Sequence, residues 1–153
     1  MYYSHKYSHK LDQYTADIEK DRAYLQSVDV EEGLLYLLDN SQQFKETMDS
    51  LQSWDFNDPR LKTIYFEKYV KDVKGHWQMI LKLLNISLSS NSLDKILDNY
   101  SFEQLKASSP ATAGYSHYRS SDENDYQKNF TGKVTNAFSA KYGRIMEQLG
   151  YFN

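Results

Sequence analysis

Residues 1–10, MYYSHKYSHK, write a Tyr-Ser-His-Lys unit twice and set His5 and His9 four residues apart. On a helix, two imidazoles at that spacing share a face and can hold one metal ion together. A third ligand at a fitting spacing is lacking, so the pair reads as packing or solvent-facing side chains of an ordinary helix. His76, beside Trp77 in an amphipathic stretch, reads as structural, and His117 as a residue of a long loop. Phosphate-cradling loops of the forms G-x-x-x-x-G-K-[ST] and G-x-G-x-x-G are absent. With no cysteine, disulfides and thiolate metal sites are excluded. Arg119 lies in the same long loop as His117, where a guanidinium can offer a phosphate planar, bidentate donors or stand as an ordinary surface side chain.

The elements that must position these groups belong to a chain of 153 residues, the size of one domain. A formal net charge of −3 argues against a general grip on nucleic acid. Fourteen tyrosines raise the aromatic share to 15%, which suits a half-polar core or a pocket for planar ligands. Sequons at Asn85-Ile-Ser87, Asn99-Tyr-Ser101 and Asn129-Phe-Thr131 accompany neither a signal peptide nor a bilayer-length apolar run. They therefore read as chance, and the compartment as cytoplasmic.

Residues 11–28 are polar and weakly periodic, predicting a loop with a short helix. Asp29, with Glu32 three residues on, predicts the start of one helix running from about 30 to about 53. Asp55-Phe56-Asn57-Asp58-Pro59 is turn chemistry. LKTIYFEKY, residues 61–69, clusters β-branched and aromatic side chains and predicts a strand. Helices follow over about 72–85 and 90–99, and Ser101-Phe102-Glu103-Gln104 opens a short one. Residues 107–126 form a long aperiodic loop, and a final helix over about 132–149 ends at Gly150. A lone strand exposes N–H and C=O groups that need neighbours, so the chain looks like part of something larger.

The segment HYRSSDENDYQKNFTGKVTNAF resembles the late Arg-Lys-Gly-x-x-Gly-Asp-Trp-Lys-x-x-Phe-Thr motif of sulfotransferases that use 3′-phosphoadenosine 5′-phosphosulfate (PAPS). Arg119, Asp125, Tyr126, Phe130 and Thr131 take the Arg, Asp, Trp, Phe and Thr positions. IYFEKYVKDVKGHWQMILKLLNISL resembles the family's strand ending in Tyr-Glu-Asp with its helix and Leu-Gly turn. NYSFEQLKASSP is similar to its Thr-Ser-Phe-x-x-Met segment, and RIMEQLGYF to a bacterial Leu-Gly-Tyr ending. The resemblance is strongest over residues 60–153. MYYSHKYSHK resembles the helix that follows the family's 3′-phosphate-binding Ser, which would place the phosphate-loop half and the catalytic His upstream of this chain.

The resemblance implies a single domain that is mainly α with one strand or few strands, the C-terminal portion of a P-loop α/β sulfotransferase fold. It implies PAPS as sulfuryl donor, no metal, an acceptor hydroxyl, and no activity for these 153 residues alone. Arg119, with Ser120 and Ser121 where the family has Lys and Gly, falls at the 3′-phosphate. Tyr100, Ser101 and Phe102 fall at the adenine, and Phe66 replaces a family Tyr. The family's Lys-x-x-x-Thr-Val-x-x-x-Glu dimer motif has Gln127, Gly132 and Asn136 at its anchors, so association is expected through the exposed strand near 61–70 and the first helix. The alternative is a non-catalytic helical interaction module derived from a sulfotransferase.

Overall fold

The computed structural model describes residues 1–8, 16–109, 118, 120, 122 and 124–151. Among these, the α-helices are α1 (Ala16–Ser27), α2 (Val30–Asn40), α3 (Gln42–Ser53), α4 (Phe66–Tyr69), α5 (Val73–Leu83), α6 (Ser90–Asn99), α7 (Phe102–Ser108) and α8 (Gly132–Gln148). A π-helical turn spans Ser4–Ser8 and a 3₁₀ turn Asp125–Lys128. The chain divides into two compact units, residues 1–61 with 124–153, and residues 62–123.

In the first unit, the π turn packs on α1, while α2 packs on α1, α3 and α8. One core cluster joins Tyr2, Leu25 and Leu37. A second joins Met48, Tyr142 and Ile145, with Phe44 and Phe138 packed against it. The Phe44 and Tyr142 rings meet edge to face at 5.4 Å. Leu25, Val134 and Ile145 are fully enclosed, each burial contributing roughly 1.5–3 kcal/mol. Thr131 caps α8 by accepting the Val134 N–H, and its hydroxyl donates to Glu31. Lys141 reaches from α8 to the Asp39 carboxylate and the Leu38 carbonyl.

The single helix expected over 30–53 is two. Ser41 is at once the C-cap of α2 and the N-cap of α3, with φ −75° and ψ 108°. Its N–H donates to the Leu37 carbonyl at 3.0 Å, and its Oγ accepts the Phe44 N–H at 3.3 Å. A serine that offers the backbone an alternative bond favours a cap over a helix interior. The short helix expected within 11–28 is α1.

In the second unit, α5 and α7 both pack on α6. Asp72, Ser89 and Ser101 cap α5, α6 and α7 by accepting the N–H of Gly75, Ser92 and Gln104. The strand expected over 61–69 is not there, and no strand occurs among the described residues. Residues 61–65 carry no regular structure, and Phe66–Tyr69 form one helical turn whose first carbonyl, Tyr65, accepts from Lys68 and Tyr69. β-propensity reports fit to a pleated, half-buried surface. Phe66 is 55% exposed, so its side chain has no such surface to cover. Among the described residues there is thus no strand edge for such an association to use.

Two helices end in Schellman motifs. Gly150 (φ 77°) closes α8, with Tyr151 N–H on the Met146 carbonyl and Gly150 N–H on Glu147, both at 2.9 Å. Asn85 (φ 53°) closes α5 in the same way through Ile86 to Leu81 and Asn85 to Lys82. Asparagine tolerates the left-handed region that most side chains avoid.

Candidate functional site

The second unit holds a cavity of about 1300 Å³. Its walls are apolar: Trp77 and Leu81 from α5, Leu93, Ile96 and Leu97 from α6, and Leu105 from α7. Tyr100, Ser101 and Phe102 border it from the junction of α6 and α7, joined by Phe66, Tyr118 and Ser120. Tyr100 is 69% exposed. Phe102 and Tyr118 meet edge to face at 6.3 Å, and the Lys106 ammonium stands 5.7 Å from the Phe102 centroid. The Ser101 hydroxyl accepts the Gln104 N–H at 3.4 Å and keeps its own proton to donate. Aromatic planes with hydroxyls beside them can take a flat ring by stacking and hold its polar edge. A Lys74–Asp94 ion pair of 2.7 Å joins α5 to α6 at the lining.

Of the residues expected at a site, Tyr100, Ser101, Phe102 and Ser120 border this one cavity, as does Phe66. Arg119 and Ser121 lie outside the described residues, as do His9 and His117. Ser120 Oγ accepts the Asp122 N–H at 3.1 Å. The end of the same motif belongs to the first unit. There Asp125 is buried and bonded to Lys128 at 3.2 Å, the Tyr126 and Phe130 rings pack edge to face, and Thr131 caps α8. His76 bonds through Nδ1 to the Asp72 carbonyl at 2.7 Å, within its own helix start.

His5 holds a place its sequence neighbours do not reveal. It is only 3% exposed, with Nδ1 3.1 Å from Asp21 Oδ2 and Nε2 3.1 Å from Gln43 Oε1. A carboxylate only accepts, so Nδ1 donates to Asp21, while either end of the Gln43 side-chain amide can meet Nε2. Arg22 Nε donates to the His5 carbonyl at 2.9 Å, tying the π turn to α1. The three side chains come from positions 5, 21 and 43, and no periodicity links them. A smaller cavity of about 530 Å³ in the first unit opens over this group.

Among the described residues no group of three or more His, Cys, Asp or Glu is placed to hold a metal ion. None of their helices is long and apolar enough to cross a membrane. The aromatic cavity, the Ser-Phe helix start beside it and the Thr131 cap stand on the segments that carry the sulfotransferase resemblance. Neither the curated proteins nor the solved structures give a match to the chain. The sequence model of the sulfotransferase domain family matches residues 2–150, nearly the whole length, and the chain belongs to that family.

Proposed function

We propose that this chain supplies the C-terminal part of a cytoplasmic enzyme that transfers a sulfuryl group from PAPS to an acceptor hydroxyl. Its share is the wall against the adenine and the grip on the 3′-phosphate. The observation that carries this reading is the gathering of Tyr100, Ser101, Phe102 and Ser120 on the border of one largely apolar cavity. Tyr100 and Phe102 flank the purine, the Ser101 hydroxyl donates to its polar edge, and Arg119 with Ser120 and Ser121 receives the 3′-phosphate. The acceptor oxygen attacks sulfur, the sulfur–phosphate oxygen bond breaks, and 3′-phosphoadenosine 5′-phosphate leaves. The base that takes the hydroxyl proton is not among the residues assigned here.

Calorimetric titration with 3′-phosphoadenosine 5′-phosphate and with AMP tests the assignment. A charged hydrogen bond to phosphate contributes about 1.5–3 kcal/mol. Arg119→Ala is therefore expected to weaken the bisphosphate by about tenfold or more, and AMP much less. Phe102→Ala is expected to weaken both alike, because both carry adenine. Equal losses for Arg119→Ala would mean that Arg119 does not read the 3′-phosphate. Absence of saturable binding by either nucleotide would favour the non-catalytic interaction module. The 153-residue chain alone is expected to turn over no PAPS, and any turnover with a phenol or alcohol would refute that.

A further inference from the structure

We propose that the cavity of the first unit is a binding site for a neutral, polyhydroxylated ligand of about monosaccharide or cyclitol size. Its volume of about 530 Å³ lies within the range of small-molecule pockets, and its lining converges from the π turn, α1, α2 and α3. The inference does not rest on the nucleotide reading, which concerns the other unit.

The floor is polar and enclosed. His5, Asp21 and Ser41 are 3%, 5% and 6% exposed, and all three line the cavity. Taking such groups out of water is costly, and apolar residues of similar volume would serve stability at least as well. A polar floor is instead suited to meeting something polar.

The rim decides which ligand. Asp21 is engaged by His5 Nδ1, which leaves one charge of each sign, Lys20 and Glu46, at the exposed rim. An anion would face Glu46, and a cation would face Lys20. Neither sign of charge is favoured throughout. What the rim offers in both directions is hydrogen bonding. Gln42 Nε2 donates to Glu46 Oε1 at 2.9 Å, which leaves the second Glu46 oxygen and the Gln42 amide oxygen as acceptors. Gln43 meets His5 Nε2 with one end of its side-chain amide, so the other end remains for a ligand. A hydroxyl both gives and takes a hydrogen bond, and vicinal hydroxyls match planar amides and carboxylates in pairs. Ile18 and the Tyr36 ring, stacked on Tyr24 at 4.1 Å, supply the apolar wall for ring C–H groups.

Nuclear magnetic resonance titration of the full chain tests this, with D-glucose and myo-inositol as probes. Guanidinium chloride and sodium sulfate serve as charged counter-probes at matched ionic strength. The expected result is saturable movement of the His5 ring and Gln43 side-chain signals with a polyol, in the millimolar range. Glu46→Ala is expected to weaken that binding about tenfold, the loss of a hydrogen bond to a charged group. Glu46 and Gln43 are exposed on α3, so Glu46→Ala and Gln43→Ala should stay folded, and each should weaken the polyol. Phe102→Ala, in the other unit, should leave it unchanged. No saturable movement with either polyol, tighter binding of guanidinium or sulfate, or unaltered polyol binding in Glu46→Ala would overturn the proposal.

Discussion

Two glycines in helix interiors should respond differently to the same substitution. Gly33 lies in α2, where a Cβ would stand 2.6 Å from Tyr2 Cε2 and 3.0 Å from Leu25 Cδ2. Tyr2 is 6% exposed and Leu25 is fully buried, so neither ring nor methyl can swing into solvent. Gly143 lies in α8, where a Cβ meets nothing within 4 Å. Alanine favours a helix interior over glycine by about 0.8–1.0 kcal/mol, and both variants gain that. Only Gly33→Ala also overpacks a core, which costs about 1–3 kcal/mol. Gly143→Ala should therefore be more stable than the parent by nearly the whole helix increment. Gly33→Ala should range from neutral to about 2 kcal/mol less stable. Their difference cancels the propensity and isolates the clash, so it should be about 1–3 kcal/mol. Urea unfolding followed by far-ultraviolet circular dichroism, extrapolated linearly to water, measures it. Tyr2 also accepts from Lys6 at 3.1 Å, one turn along the segment that seats His5. Displacing it should shift the His5 ring signals as well. Equal stability of the two variants would refute the reasoning, because it would mean that Tyr2 and Leu25 do not close over Gly33.

Ser41→Ala removes the side-chain acceptor for the Phe44 N–H and should cost about 1 kcal/mol in the same unfolding assay. No loss would mean that water or the neighbouring backbone caps α3 equally well. Asn85→Gly should be neutral or slightly stabilising, whereas Asn85→Val should cost roughly 1–2 kcal/mol, because only the former is at ease at φ 53°. Tolerance of valine, read as an unchanged urea midpoint, would show that α5 ends differently in solution.

What sequence made legible is what neighbours in the chain decide. Asp29 and Ser101 announce their helices because a cap bonds to an N–H three residues on, and each does so here. Gly150 likewise marks the end of α8 by its own backbone freedom. Residues 61–69 were misleading for the opposite reason. Ile64, Tyr65 and Phe66 favour a strand only if a sheet presents them with partners and a surface to cover, and their local alternative is a single helical turn. Ser41 misled more subtly. The apolar stripe from Leu34 to Leu51 continues through it, since α2 and α3 bury their faces in adjoining clusters, so periodicity concealed a break that one serine's hydrogen bonds impose.

The same distinction separates the two cavities. Tyr100, Ser101 and Phe102 are consecutive, so a short motif at a helix start was enough to bring them to notice together. The His5–Asp21–Gln43 group draws its members from three elements, and each is unremarkable by itself: a histidine in a repeat, an aspartate in a polar helix, a glutamine in a pair. Only folding makes them a unit. Their linings also demand different chemistry. Walls of Trp77, Leu93 and Phe102 reward a flat, weakly hydrated ring, whereas a rim of carboxylate, amides and an ammonium rewards a molecule that both donates and accepts. A substitution that distinguishes them must therefore change ligand class as well as affinity. Phe102→Ala should affect adenine and spare polyols, Glu46→Ala should do the reverse, and a single ligand sensitive to both would contradict the assignment of separate chemistries.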